Sequence, residues 1–183
     1  MDRYTSLNYE MIRKQLGHAK TEADLFKAIV DSPFAFKVDM ARLHLGIIVL
    51  LLVNETTGMI DRVALSNTEL AKGTTDISVK KFEDIKIPAD HSENYIAKAI
   101  REKQPQLTSD WHYLFTPALT PEEARFNQAG GGIACSVVHP FLDGCDGALI
   151  YSYFQYPEQL GSMQTDFMRT YTRLVSRCLA EAL

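Results

Sequence analysis

GIIVLLLVNETTGMIDRVALSN, residues 46–67, decides the fold. A β-branched and leucine run of strand length is followed by NETTG and then by a second run, Met59 to Ser66. That pattern is a β-hairpin with Gly58 in its turn. The first arm is apolar at every position, so both faces of its sheet must be covered. The run LGIIVLLLV, residues 45–53, is nine residues long, whereas a bilayer-spanning helix needs about twenty.

Helical patterns precede the hairpin. Residues 6–18 carry Tyr9, Ile12 and Leu16 on one stripe. TEADLFKAIVDSP, 21–33, has Thr21 as cap, Asp24 in the first turn and Pro33 as stop. FKVDMARLH, 36–44, is a short helix leading into the sheet. After the hairpin, NTELAKGTTDISVKKFED (67–84) reads as polar and irregular, and FEDIKIP (82–88) as a short extended piece. SENYIAKAIREKQ (92–104) reads as a helix capped by Ser92, with Tyr95, Ile96, Ala99 and Ile100 inward. PQLTSDW is extended. The excursion 112–132 holds a short helix, TPEEARFNQ, with Pro121 at its first position and Gly130 to Gly132 at its end. A second hairpin, IACSVVHPFLDGCDGALIYSYF, spans 133–154. The last 22 residues, 162–183, form a long helix on which Phe167, Tyr171, Leu174 and Cys178 make a coiled-coil-like stripe. Hairpins with flanking helices predict an α+β layered domain around an antiparallel sheet. Residues 1–19 read as a helical extension and 20–183 as the domain.

The totals narrow the function. A formal charge of −4 argues against a general nucleic-acid or anionic-membrane surface. MDRYTSLNYE lacks the apolar core of a secretory signal, and three cysteines are too few for a disulfide scaffold. The expectation is a cytoplasmic protein with reduced thiols. No GxSxG, Walker loop, HExxH or GxGxxG occurs, so no cofactor is named, and no ligand cluster suggests a metal. The GGG at 130–132 precedes a strand and is not a phosphate cradle.

With this order of elements the chain resembles a GAF domain. The resemblance rests on the 46–67 hairpin, on IAKAIREKQPQLTSDW (96–111), on SVVHPFLDGCDGALIYSYF (136–154) and on the exit helix, and it covers 20–183. It implies a GAF-like, PAS-related fold. The first and last helices would lie on one face, where they often make a homodimer, and loops and short helices would close a pocket on the other. It further implies a small-molecule sensor, non-catalytic, that signals to an effector such as a kinase, cyclase or transcription regulator. A ligand-free dimerisation module is the alternative without a ligand.

The resemblance also raises an enzymatic alternative. Free methionine sulfoxide reductases of this family use cysteines ten apart, one of them in a segment like Ile133-Ala134-Cys135. There the pair precedes the pocket-closing helix; here Cys135 and Cys145 straddle the final hairpin. The family's bilin branch follows its cysteine with His, whereas Ser136 and Asp146 follow here. Cys135 and His139 share a strand face about 13 Å apart, too far to share a metal. As ordinary residues, Cys135 is a small core side chain, Cys145 an exposed turn residue and Cys178 part of the helix stripe.

Ligand-site candidates are Trp111, His112, Tyr113, Arg125, Cys135, Tyr151 and Tyr153. Trp111 beside His112 and Tyr113 reads either as a stacking platform at the pocket mouth or as an apolar peg for a long loop. Tyr151 and Tyr153 either aim hydroxyls at the pocket or pack under a helix. Arg125 is either an anion anchor or a solvated arginine.

Overall fold

The first arm of the 46–67 hairpin is one of the two central strands of the sheet. The computed structural model describes residues 7–183; the first residue of the helix expected over 6–18, and the MDRYTS of the signal-sequence reading, lie outside the described residues. Strands β1 (Leu45–Asn54) and β2 (Met59–Leu65) turn at Gly58, whose φ of 68° suits a residue without a Cβ. With β3 (Ile87–Pro88), β4 (Gln106–Thr108), β5 (Cys135–Pro140) and β6 (Gly147–Tyr153) they form a six-stranded antiparallel sheet, order β3-β2-β1-β6-β5-β4.

Both faces are covered, as the apolar β1 requires. Leu45, Ile48 and Leu50 meet α1 (Tyr9–Gly17), α2 (Glu22–Asp31), α3 (Lys37–Leu43) and the long α8 (Ser162–Ala182). Ile47, Val49 and Leu51 meet the opposite layer: α4 (Glu69–Thr75), α5 (Tyr95–Glu102), α6 (His112–Phe115) and α7 (Pro121–Gly130). The expected α+β architecture is thus observed. No helix of the described residues is long and apolar enough to cross a membrane.

Three local expectations are corrected. The segment 67–84 is not irregular throughout: Thr68 caps α4 by accepting the Ala71 amide, and its hydroxyl donates to the Gly46 carbonyl at 2.7 Å. The cap of α5 is Asn94, not Ser92. Buried Asn94 accepts the amides of Ile96 and Ala97 and donates to the Thr116 carbonyl, binding helix start and α6 loop together. The stripe on α8 is satisfied within the chain. Phe167 and Tyr171 are buried, and Leu174 and Cys178 pack against the same core, so the stripe is not an exposed seam.

Candidate functional site

The sheet face under α4, α6 and α7 encloses a small cavity. Ile47 and Val49 of β1, Ile150 and Ser152 of β6, and Arg62 and Leu65 of β2 form its floor. Trp111, Leu114 and Phe115 make one wall, while Thr74, Ser78, Lys80, Phe82 and Ile85 make the other. Its volume is about 40 Å³. Ordered water needs about 10–15 Å³ and drug-sized ligands sit in about 300–1,000 Å³, so the cavity has room for a few waters. A larger groove, about 670 Å³, runs between α1 and α8. It is open to solvent along charged side chains such as Glu10, Arg13 and Glu181, whereas the small cavity is lined mainly by apolar side chains.

Trp111 is held by a short relay. Its indole Nε1–H donates to Ser136 Oγ at 2.8 Å, and Ser136 shares a 2.7 Å hydrogen bond with its cross-strand partner Ser152. Gln128 accepts the Trp111 amide and donates to the carbonyls of Ser109 and Ile133. Trp111 is therefore held in place as part of the cavity wall.

Arg62 was not singled out by the sequence patterns. It is 5% exposed, and its guanidinium donates to the carbonyls of Ile85 at 3.1 Å and Leu114 at 3.2 Å. The Phe115 ring lies against it, 4.7 Å from centroid to Cζ. Burial lowers its pKa to about 9, which leaves it cationic at neutral pH. The signal that could have found it is a charged residue in phase with Ile60 on a strand paired to the all-apolar β1. A register shift opposite Leu50 and Leu51 leaves Val63 unpaired, so Arg62 and Leu65 both face the cavity.

The other predicted residues lie elsewhere. His112 flanks the wall, its Nδ1 buried without a partner among the described residues. Tyr113 stacks on Tyr95 outside, centroids 4.7 Å apart. Arg125 forms a forked ion pair with Asp110, with Nη2 to Oδ2 at 2.8 Å, and does not line the cavity. That hydrogen bonding holds Asp110 below the usual carboxylate range, while Asp110 also accepts the His112 amide. Tyr151, Tyr153 and Cys135 are turned to the opposite face. Tyr151 shares a 2.8 Å bond with Thr172 of α8, Tyr153 is buried with no partner for its hydroxyl among the described residues, and Cys135 donates to the Gln155 carbonyl at 3.2 Å. Strand alternation decides this: the cavity face takes Ile150 and Ser152, so the two tyrosines cannot share it.

The cysteines are free. Cys135 opens β5 and Cys145 lies in the turn beyond its far end, so the strand of about 17 Å separates them. A disulfide needs Cα atoms within about 7 Å. Burial pushes the Cys135 thiol up to about 11 and raises Cys145 and Cys178 as well. Among the described residues no group of three or more His, Cys, Asp or Glu side chains converges as a metal site.

An antiparallel sheet covered by helices on both faces is an architecture this chain shares with solved structures. The chain aligns over its whole length with the GAF domain of an Acinetobacter phosphoenolpyruvate-protein phosphotransferase, covering 96% of that chain at 10% identity and a TM-score of 0.65. The chain has the GAF fold. The same fold appears in a domain of a putative two-component sensor histidine kinase protein from Sinorhizobium meliloti (14% identity, 89% of this chain and 93% of that one, TM-score 0.53). It appears again in reduced fRMsr of Staphylococcus aureus (11% identity, 98% and 100% covered, TM-score 0.57). No family model and no curated protein matches the sequence. The GAF likeness is thus one of backbone architecture.

Proposed function

We propose that this GAF-fold chain is a sensory domain that binds a small molecule in the cavity and transmits the event without catalysis. One observation carries the reading: cavity and terminal helices share the same strands. β1 gives Ile47 and Val49 to the cavity and Ile48 and Leu50 to the helical core, while β6 gives Ile150 and Ser152 to one and Tyr151 and Tyr153 to the other. A ligand that widens the cavity moves strands on which α1, α2 and α8 rest. It shifts the balance of states only by binding the wider state more tightly. The output would be a rearranged homodimer or an altered effector domain, in a cytoplasmic setting. Context in the Sinorhizobium kinase protein supports this direction.

A thiol-dependent reductase is the second reading, favoured by the likeness to fRMsr and by Ile133-Ala134-Cys135. The separation of Cys135 from Cys145 weighs against it.

Native mass spectrometry of the freshly purified protein, beside its denatured mass, tests the sensory reading. A retained small molecule, together with changed amide exchange in both 111–131 and α8, is the expected result. A chain that retains nothing from a metabolite extract and shows no exchange change is a scaffold instead. Turnover of free methionine sulfoxide that is lost in both Cys135→Ser and Cys145→Ser would establish the reductase.

A further inference from the structure

We propose that the cavity is an anion site, built to take a small monocarboxylate with an apolar body against Arg62. The proposal rests on the sensory reading above and names the class of its ligand.

Arg62 brings a positive charge inside the domain without a counter-charge. Among the described residues no carboxylate oxygen lies within 4.0 Å of it. Its neighbours are two backbone carbonyls and the face of Phe115, which solvate a cation without neutralising it. Buried charges are ordinarily paired. The cavity wall repeats the imbalance: Lys80 stands in it, exposed to solvent, and no aspartate or glutamate contributes to the lining.

The surroundings choose among anions. Guanidinium presents a planar fork of N–H donors that suits carboxylates and phosphates alike. One enclosed cation neutralises one charge, so a phosphate dianion would bring a second charge into an apolar site at a desolvation cost. Ile47, Val49, Leu65, Leu114 and Ile150 supply hydrocarbon around the guanidinium. A carboxylate with a short apolar chain satisfies both features. At about 40 Å³ the cavity accommodates little more than the head group, so the chain must displace a wall. On the wall from Thr74 to Phe82 the lining residues are mostly polar, and Thr75 and Lys80 are exposed to solvent, so it is the side that yields.

The protein's one tryptophan reports directly, because Trp111 lines the cavity. Butyrate and hexanoate are titrated against Trp111 emission and thermal stability, with butyramide and hexanamide as neutral isosteres. The acids are expected to saturate the emission change and raise Tm by linkage, and the amides to bind at least about tenfold more weakly, the loss of one charge-assisted pair. Arg62→Met is expected to abolish the preference for acid over amide, and Lys80→Met to weaken the acids by about threefold or less, with strong salt dependence. Should Arg62→Met fail to fold, the acid–amide comparison on the unaltered protein decides alone. Amides binding as tightly as acids would overturn the anion site and leave a neutral-ligand sensor standing. Absence of a saturable response to either acid overturns the proposal, and the native mass experiment then tells separately whether the sensory reading survives.

Discussion

Two buried tyrosines show how differently one hydroxyl can act. Tyr171 donates to the Ile29 carbonyl at 2.6 Å. In a regular helix that carbonyl would bond the amide four residues on, but position 33 is proline and has no N–H. Tyr171 supplies the missing donor. Tyr153, equally buried, has no partner for its hydroxyl among the described residues. Tyr171→Phe should cost about 1–3 kcal/mol, the penalty of an orphaned buried acceptor. Tyr153→Phe should be neutral or stabilising, since it removes an unsatisfied group. Denaturant unfolding of both variants checks the contrast, and equal losses would show that ring packing, not hydrogen bonding, governs these sites. At the same scale, Cys135 is closed off by burial and by a thiol pKa of about 11. Maleimide at neutral pH should modify partly exposed Cys145 and Cys178 first and Cys135 only after unfolding. Native labelling of Cys135 would reopen a thiol chemistry.

Among the elements, α4 is the one least visible in sequence and most dependent on its neighbour. Seven residues that include Gly73 and three threonines counting the cap make a weak helix in isolation. It forms because it packs on the end of α7 with glycine facing glycine. A Cβ on Gly73 would stand 2.5 Å from the Gly130 carbonyl oxygen. Gly130 and Gly131 are therefore spacing residues as well as a helix end, and Gly132, with φ 63°, makes the turn into β5. Gly73→Ala should cost about 1–3 kcal/mol by overpacking, despite its better helix propensity. Because Thr74 and Thr75 line the cavity, the variant should also shift Trp111 emission. A Gly73→Ala protein as stable as the original, with unchanged emission, would mean that α4 and α7 do not need this approach.

For the whole molecule, stability should depend on acid through His139. It is half-buried on β5 beside α8, with Nδ1 lacking a partner among the described residues, and Arg169 and Arg173 line the same cleft. Burial first, and Arg169 after it, lower its pKa. The unfolded chain then binds a proton more tightly than the folded one. Stability is full above the ordinary imidazole value of about 6.5, falls as pH drops below it, and keeps falling until the lowered folded pKa is reached. Thermal melts from neutral to mildly acidic pH should show this limb, and His139→Gln should flatten it. A variant whose acid limb matches the original protein would assign the loss to other groups.

The sequence by itself determined the layered α+β architecture. Periodicity is a local property: β1, apolar at every position, demanded cover on both faces, and the stripes on α1, α5 and α8 supplied part of it. Turn and cap chemistry are local too, which is why Gly58, Thr21 and Pro121 were legible. The tertiary structure alone decided which side of each strand looks where. A slip at Val63 brings Leu65 to the cavity face beside Arg62, and the alternation of β6 sends Tyr151 and Tyr153 away from it. It also decided that Arg125 pairs with Asp110, that Asn94 outranks Ser92 as a cap, and that α4 forms at all. Of the seven candidate residues only Trp111 lines the cavity, and Arg62 came from outside them. The reason is physical. A strand's two faces are exchanged by a one-residue change of register, and a charge is buried or solvated according to partners far away in sequence.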